Sequence, residues 1–330
     1  MRSRIVGSGM CVPERVVTNF DLQKYMDTSD EWIRQRTGVV ERHWISEGES
    51  AAQMSKKAAI EACERAKIAP EEIDCIIAAT LAPDYWYPGN AVMLQRELGL
   101  YGKPTYDVRN QCTGFIYSLS LADIFIRTGR YKKILVAGAE LHSTGLDMST
   151  NGRDVTVIFG DGAGAVIVVP SEDDNSGILG CFLHADGTHA KLLWTDCESS
   201  CHHPRLNQEM IDDGRIYPKM RGRVVFIHGL QRFQEALKEA VETCGYNVPD
   251  IGCYIFHQAN QRITEMVLSS LDIPIEKSHN NIDKYGNTTA ASIPIALHEA
   301  VKLGKIRQGD LVCLVAFGSG FTWGSILMRW

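Results

Sequence analysis

The sequence has no apolar run long enough to span a bilayer. Its opening stretch, Met1-Arg2-Ser3-Arg4-Ile5-Val6-Gly7-Ser8-Gly9, is too short and too broken by glycine for an export signal. Both absences point to the cytoplasm and away from a membrane. Positive charge is not in excess: 34 Lys and Arg against 40 Asp and Glu leave a net charge of −6, which argues against nucleic acid as a bulk partner. Dinucleotide and Walker glycine spacings are missing too. The nearest run, Gly160-Asp161-Gly162-Ala163-Gly164, reads as a tight turn between two buried strands at 155–159 and 165–169. Paired cysteine spacing is also lacking. The 10 cysteines are scattered through a chain large enough not to need disulfides. Cys197-Glu198-Ser199-Ser200-Cys201-His202-His203 resembles half of a zinc site, but a second pair of ligands does not follow, and no metal is expected.

What is present is an ordinary globular composition. With 45% hydrophobic and 22% charged residues over 330 positions, the chain can form one large core or two fused smaller ones. Apolar strand-like runs at 6–10, 75–79 and 134–138 alternate with helical spacings at 50–67, 90–98 and 115–127, which predicts an α/β fold with covered sheets. The pattern also repeats. Pro70-Glu71-Glu72-Ile73-Asp74-Cys75-Ile76-Ile77 is echoed by Pro249-Asp250-Ile251-Gly252-Cys253-Tyr254-Ile255, and Ile73 and Ile251 lie 178 positions apart. The same shift carries Ile134 to Val312 and Cys112 to Ala290. Two similar halves, 1–172 and 173–330, are therefore expected about a pseudo-two-fold.

Cys112 stands where the short strand-like segment 104–108 gives way to an apolar helix at 115–127. Unpaired N–H groups and the positive end of a helix dipole favour thiolate there, so a nucleophile is one reading. A small buried hydrophobe is the other. The second half contributes His257-Gln258-Ala259-Asn260 directly after an apolar strand, and Tyr285-Gly286-Asn287-Thr288 directly before a helix. Taken singly, such a His is a structural side chain and such an Asn a helix cap. Equivalent loops of two repeated halves gather at one face, and Cys, His and Asn together favour nucleophilic catalysis.

Six motifs now carry a resemblance. They are Thr28-Ser29-Asp30-Glu31-Trp32-Ile33, Gln111-Cys112-Thr113-Gly114-Phe115, Phe159-Gly160-Asp161-Gly162-Ala163-Gly164-Ala165, His257-Gln258-Ala259-Asn260, Gly286-Asn287-Thr288 and Phe317-Gly318-Ser319-Gly320-Phe321-Thr322-Trp323-Gly324. In order and content they resemble β-ketoacyl-acyl-carrier-protein synthase III, and they run from residue 28 to residue 324. The resemblance implies a thiolase-like, five-layered αβαβα duplication and a homodimer. It implies a decarboxylating Claisen condensation of an acyl-CoA primer with malonyl-acyl-carrier protein, initiating fatty acid synthesis without a cofactor beyond the CoA thioester substrates.

On the same resemblance, Cys112 is the acylated nucleophile and His257 and Asn287 are neutral donors to the enolate oxygen. The backbone N–H groups of Cys112 and Ser319 form the oxyanion hole. Trp32, Arg36, Arg153, Asn260 and Arg262 meet CoA or the carrier arm, and Tyr87 is an acyl gate reaching across the dimer. Lys219, Arg221, Arg223 and Arg262 make a basic rim for an acidic carrier protein. Degradative thiolases need a second cysteine where Ser319 stands, elongating synthases need a second histidine where Asn287 stands, and hydroxymethylglutaryl-CoA synthases need a glutamate where Thr80-Leu81-Ala82 stands. The alternative is a ketosynthase III-like acyltransferase or condensing enzyme of specialised metabolism with a different acceptor. A cysteine hydrolase and a non-catalytic subunit are further rivals. Residues 197–215 match none of the motifs.

Overall fold

The computed structural model describes residues 1–173 and 175–330. Among these residues nine strands build two principal sheets: β1 (Ser3–Cys11), β2 (Cys75–Ala79), β3 (Thr105–Val108), β4 (Ile134–Glu140), β5 (Gly162–Pro170), β6 (Gly177–Ala185), β7 (Cys253–Phe256), β8 (Leu311–Gly318) and β9 (Thr322–Arg329). The first sheet has the order β1-β5-β4-β2-β3, the second β6-β9-β8-β7. Substituting β6, β9, β8 and β7 for β1, β5, β4 and β2 reproduces the order. Both sheets contain one matching parallel pair, β2 with β4 and β7 with β8; the strands on the β4 and β8 side of it run antiparallel, and β3 pairs parallel with β2. Only the last position differs. Where the first sheet has β3, the second has a single bridge, Tyr254 with Ser278.

Among the described residues seven helices have eight residues or more: α1 (Asp30–Thr37), α2 (Ala51–Ala66), α3 (Asn90–Leu98), α4 (Gly114–Arg127), α5 (Gly222–Thr243), α6 (Gln261–Ser270) and α7 (Ser292–Lys302). Ser29 caps α1 by accepting Trp32 N–H at 3.0 Å, and Ser50 caps α2 by accepting Gln53 N–H at 3.2 Å. The continuous apolar strands are explained by burial on both faces. In β4, Ile134 and Val136 face the centre, where Phe115 and Leu119 of α4 meet Ile293 and Leu297 of α7. Leu135 and Ala137 face outward onto Met54, Ala58 and Ala62 of α2. In β7 the same alternation sends Ile255 inward, and Tyr254 and Phe256 outward to Phe233 and Leu237 of α5. The result is five layers, αβαβα, of the thiolase type: α2 and α3, the first sheet, α4 and α7, the second sheet, α5 and α6.

The expected strand at 155–159 does not form. Arg153–Thr156 is a helical turn, and Gly160-Asp161-Gly162 leads from it into β5 rather than joining two strands. The β-branched residues that suggested a strand do another job. Asn287 N–H donates to Ile158 O at 2.8 Å and Gly160 N–H donates to Asn287 O at 3.1 Å, a two-bond bridge that pins Asn287. Among the described residues no helix is long and apolar enough to cross a membrane.

Candidate active site

Cys112 lies in a single 3-10 turn, Gln111–Thr113, placed between β3 and α4. The end of β8 packs directly onto it. A Cβ on Gly318 would stand 2.6 Å from Cys112 Cβ and 3.2 Å from its Sγ, so glycine is required for that approach. The backbone N–H groups of Ser319 and of Cys112 itself lie close enough to the sulfur to favour its charged form. These are the two backbone donors named for the oxyanion hole.

His257 follows β7, 1% exposed, with its N–H donated to Val315 O at 2.8 Å. Its Nδ1 is 2.6 Å from Ser292 Oγ, and its Nε2 is buried with no hydrogen-bond partner. Burial pushes the imidazole down to about 3, so it is neutral at ordinary pH. Asn287 is 6% exposed. Its side-chain oxygen accepts Thr289 N–H at 2.8 Å, which fixes the amide orientation and leaves the NH₂ as the available end. All three residues meet at the turn 287–292. Thr289–Ala291 packs on the Cys112 turn, Ser292 holds His257, and Thr289 holds Asn287. A Cβ on Gly138 of β4 would lie 2.3 Å from Ala290 O, so the bare glycine lets this turn settle onto the first sheet.

Burial works against the thiolate expectation. Burial pushes the Cys112 thiol up to about 12, the Glu140 carboxylate raises it further, and the two N–H donors do not offset these effects. The turn bearing Cys112 is sealed by β8, and desolvation exceeds what a helix start provides.

Sequence reasoning missed a second buried group beside the sulfur. Glu140, at the end of β4, accepts Thr80 Oγ1–H and Leu81 N–H at 2.7 Å each. Burial nevertheless raises it to about 7. His142 Nε2 is hydrogen-bonded to Thr289 Oγ1 and lies 3.5 Å from Glu140 Oε2, and burial pushes this ring down to about 4. Glu140 and His142 follow an apolar strand as His257 does, and that placement was the available signal. A cavity of about 430 Å³ opens beside Cys112, walled by Leu81, Leu141, His142, Phe159, Leu193 and Trp194. His257 and Asn287 are not part of that wall.

The remaining expected residues divide. Arg36 and Arg153 both place their guanidinium over the Trp32 ring, 4.2 and 4.7 Å from its centroid. Asn260 caps α6 by accepting Arg262 N–H at 2.9 Å and donates to Arg36 O at 2.8 Å, leaving one amide hydrogen for a ligand. Lys219, Arg221, Arg223 and Arg262 are exposed. Tyr87 is 79% exposed, while Trp86 beside it carries Arg109 and Arg205, each 5.6 Å from its ring centroid. In the zinc-like segment Cys201 is exposed. Asp196, Cys197 and His202 do gather, but Arg215 Nε donates to Asp196 at 2.7 Å and its guanidinium supplies the positive charge.

The family model described as 3-oxoacyl-[acyl-carrier-protein (ACP)] synthase III matches residues 106–187, and its C-terminal counterpart matches residues 241–330. The chain is 43% identical over 330 residues to the β-ketoacyl-[acyl-carrier-protein] synthase III of Aquifex aeolicus, covering 100% of both. It is 41% identical to that of Xanthomonas campestris, over 99% of this chain and 98% of the relative. The crystal structure of the Aquifex aeolicus protein superposes with a TM-score of 0.91 over 99% of this chain and 100% of that one. The Thermus thermophilus structure, 40% identical, also gives 0.91, over 99% of each chain. The chain belongs to the β-ketoacyl-acyl-carrier-protein synthase III family.

Proposed function

We propose that the chain joins an acyl-CoA primer to malonyl-acyl-carrier protein with loss of CO₂, yielding 3-ketoacyl-acyl-carrier protein and starting fatty acid synthesis. Cys112 Sγ attacks the primer thioester and loses its proton as the S–C bond forms. CoA departs as the thiol. The tetrahedral oxyanion takes the N–H groups of Cys112 and Ser319. Breaking the C–CO₂ bond of the malonyl thioester then places an electron pair in an enolate, whose oxygen accepts from His257 Nε2–H and the Asn287 NH₂. The enolate carbon attacks acyl-Cys112, and the C–S bond breaks.

The observation that carries this reading is the meeting of two donor pairs. Two backbone N–H groups lie by one sulfur and favour negative charge there, and two neutral side-chain donors with free ends are tied to the turn packed against it. Neutral donors suit the chemistry because CO₂ departure itself generates the carbanion and no strong base is needed. CoA thioesters then suffice without a further cofactor. Trp32, Arg36, Arg153, Asn260 and Arg262 would bind CoA or the carrier arm, and the basic rim would steer an acidic carrier protein in a salt-sensitive way.

A homodimer in the cytoplasm fits this reading. Strand β3 ends the first sheet with one unpaired edge, and exposed Tyr85, Trp86, Tyr87, Tyr101 and Tyr106 belong to or flank the segments leading to it. Tyr87 would then be the acyl gate that the resemblance implies. Intact mass spectrometry after incubation with acyl-CoAs of graded length tests the core of the proposal. One acyl group should appear on the parent and none on Cys112→Ala; equal labelling of both proteins would refute the assignment.

A further inference from the structure

The imidazole of His257 is gripped from behind by one hydroxyl. Ser292, the first residue of α7, is 1% exposed, and its Oγ has three polar neighbours. Gln258 N–H, at 3.4 Å, can only donate to it. Thr289 O, at 2.9 Å, can only accept from it. His257 Nδ1, at 2.6 Å, can do either. A hydroxyl has a single proton, so two arrangements exist. If Ser292 donates to Thr289 O, Nδ1 carries the imidazole proton and Nε2 presents a bare lone pair to the site. If Ser292 donates to Nδ1, Nε2 carries the proton and can donate.

One observation favours the second arrangement. Thr289 O already accepts the backbone N–H of Ser292, so it is satisfied without the hydroxyl. Chemistry agrees, because a lone pair on Nε2 would repel an enolate oxygen, whereas an N–H stabilises it. The ring nitrogens of a neutral histidine are set in this way by whatever holds the other one.

We propose that Ser292 is a positioning residue whose hydroxyl donates to His257 Nδ1 and thereby keeps the proton on Nε2, directed at the malonyl thioester oxygen. The inference rests on the condensation proposed above. It assigns Ser292 no contact with substrate.

The direct test is ¹⁵N NMR of the full chain labelled at histidine, with the His257 signals identified by their loss in His257→Asn. The Nε2–H tautomer is expected in the parent protein, and an Nδ1–H tautomer would overturn the proposal. The functional test uses Ser292→Ala and Ser292→Thr. Ser292→Ala should lower malonyl thioester decarboxylation about 10–100-fold in kcat, as loss of a group orienting a site residue commonly does, while Cys112 is still acylated at the parent rate. Ser292→Thr, which restores the hydroxyl, should recover most of the loss. Decarboxylation by Ser292→Ala at the parent rate would refute the role. Should the alanine variant not fold, the tautomer measured in the parent decides. Failure of the parent to acylate Cys112 would instead sink the condensation itself.

Discussion

Gln111 and Thr289, 178 positions apart, share a left-handed backbone, with φ of 44° and 48°. Each opens the single helical turn that precedes a central helix, one turn carrying Cys112 and the other its counterpart Ala290. For a β-branched residue such as Thr289 this conformation is costly and persists only where neighbours hold it. Here they do: its N–H holds Asn287, its carbonyl accepts Ser292 N–H, and its hydroxyl holds His142. Thr289→Val keeps the shape and deletes only the hydroxyl, leaving His142 Nε2 buried without that partner. Thermal unfolding should reveal a loss of about 1–3 kcal/mol. An unchanged melting temperature would mean the hydroxyl contributes nothing.

His257→Ala and Asn287→Ala separate the two halves of the proposed reaction. Both should still take an acyl group onto Cys112, because the proposed acylation uses the backbone donors of Cys112 and Ser319 and not these two side chains. Decarboxylation of malonyl thioester should fall about 10²–10³-fold in each, the usual effect of deleting one oxyanion donor. Acyl loading by mass spectrometry and CO₂ release, measured on the same preparations, check this. Parent-rate CO₂ release from either variant would contradict the division of roles.

Burial of Cys112 and Glu140 predicts an unusual pH response. With the thiol pushed up to about 12, alkylation of Cys112 by iodoacetamide should rise about tenfold per pH unit through about pH 9 without levelling. Glu140→Gln removes the charge that raises the thiol, so the profile should move to lower pH. The same substitution alters stability. Glu140 is raised from 4.5 to about 7, so between those values the native state keeps a proton that the unfolded chain loses, and stability declines as pH rises. The glutamine variant should lack that decline. Peptide mapping and melts across pH decide both points, and a plateau in the parent below about pH 8 would contradict the buried thiol.

Glu299 shows the opposite sign. Burial raises it, but hydrogen bonds from His279, Asn281 and Tyr285 outweigh burial and hold it at about 2. Its contribution is fully present above 4.5, the ordinary value, and is lost as pH falls through about 2. Glu299→Ala should cost about 2–3 kcal/mol at neutral pH, from lost bonds to a charged acceptor, and much less near pH 2. Urea melts at the two pH values measure the difference. Equal losses at both would show that ionisation plays no part.

Much of this was legible because it is local or repeated. Cys112, His257 and Asn287 each stand where one element gives way to the next, and the 178-residue echo indicated that such ends would converge. Strand alternation in β4 was visible as a continuous apolar run. What escaped depends on distant partners. The protonation of Cys112 is decided by its burial beneath Gly318, which packs over it from the far end of the chain, and by Glu140. Residues 158–160 bridge to Asn287 instead of joining a sheet, and the same β-branched run suits either outcome. Thr289 and Ser292 read as the small residues of a helix start, because a positive φ and a hydroxyl's direction leave no mark in composition. Asp196 and Arg215 converted a zinc-like spacing into an ion pair, and neither belonged to the spacing itself.

The missing side chain of Gly138 has a wider consequence. The carbonyl of Ala290 occupies the place a methyl group would take, so here, as at the bridge from residues 158–160 to Asn287, the two duplicated halves touch backbone to backbone. Enlarging that residue would wedge them apart at the turn that carries the hydrogen-bond donors, while the layered cores on either side stayed intact. Competence for the reaction is therefore more fragile than the fold that houses it, and it hinges on the absence of a single carbon atom.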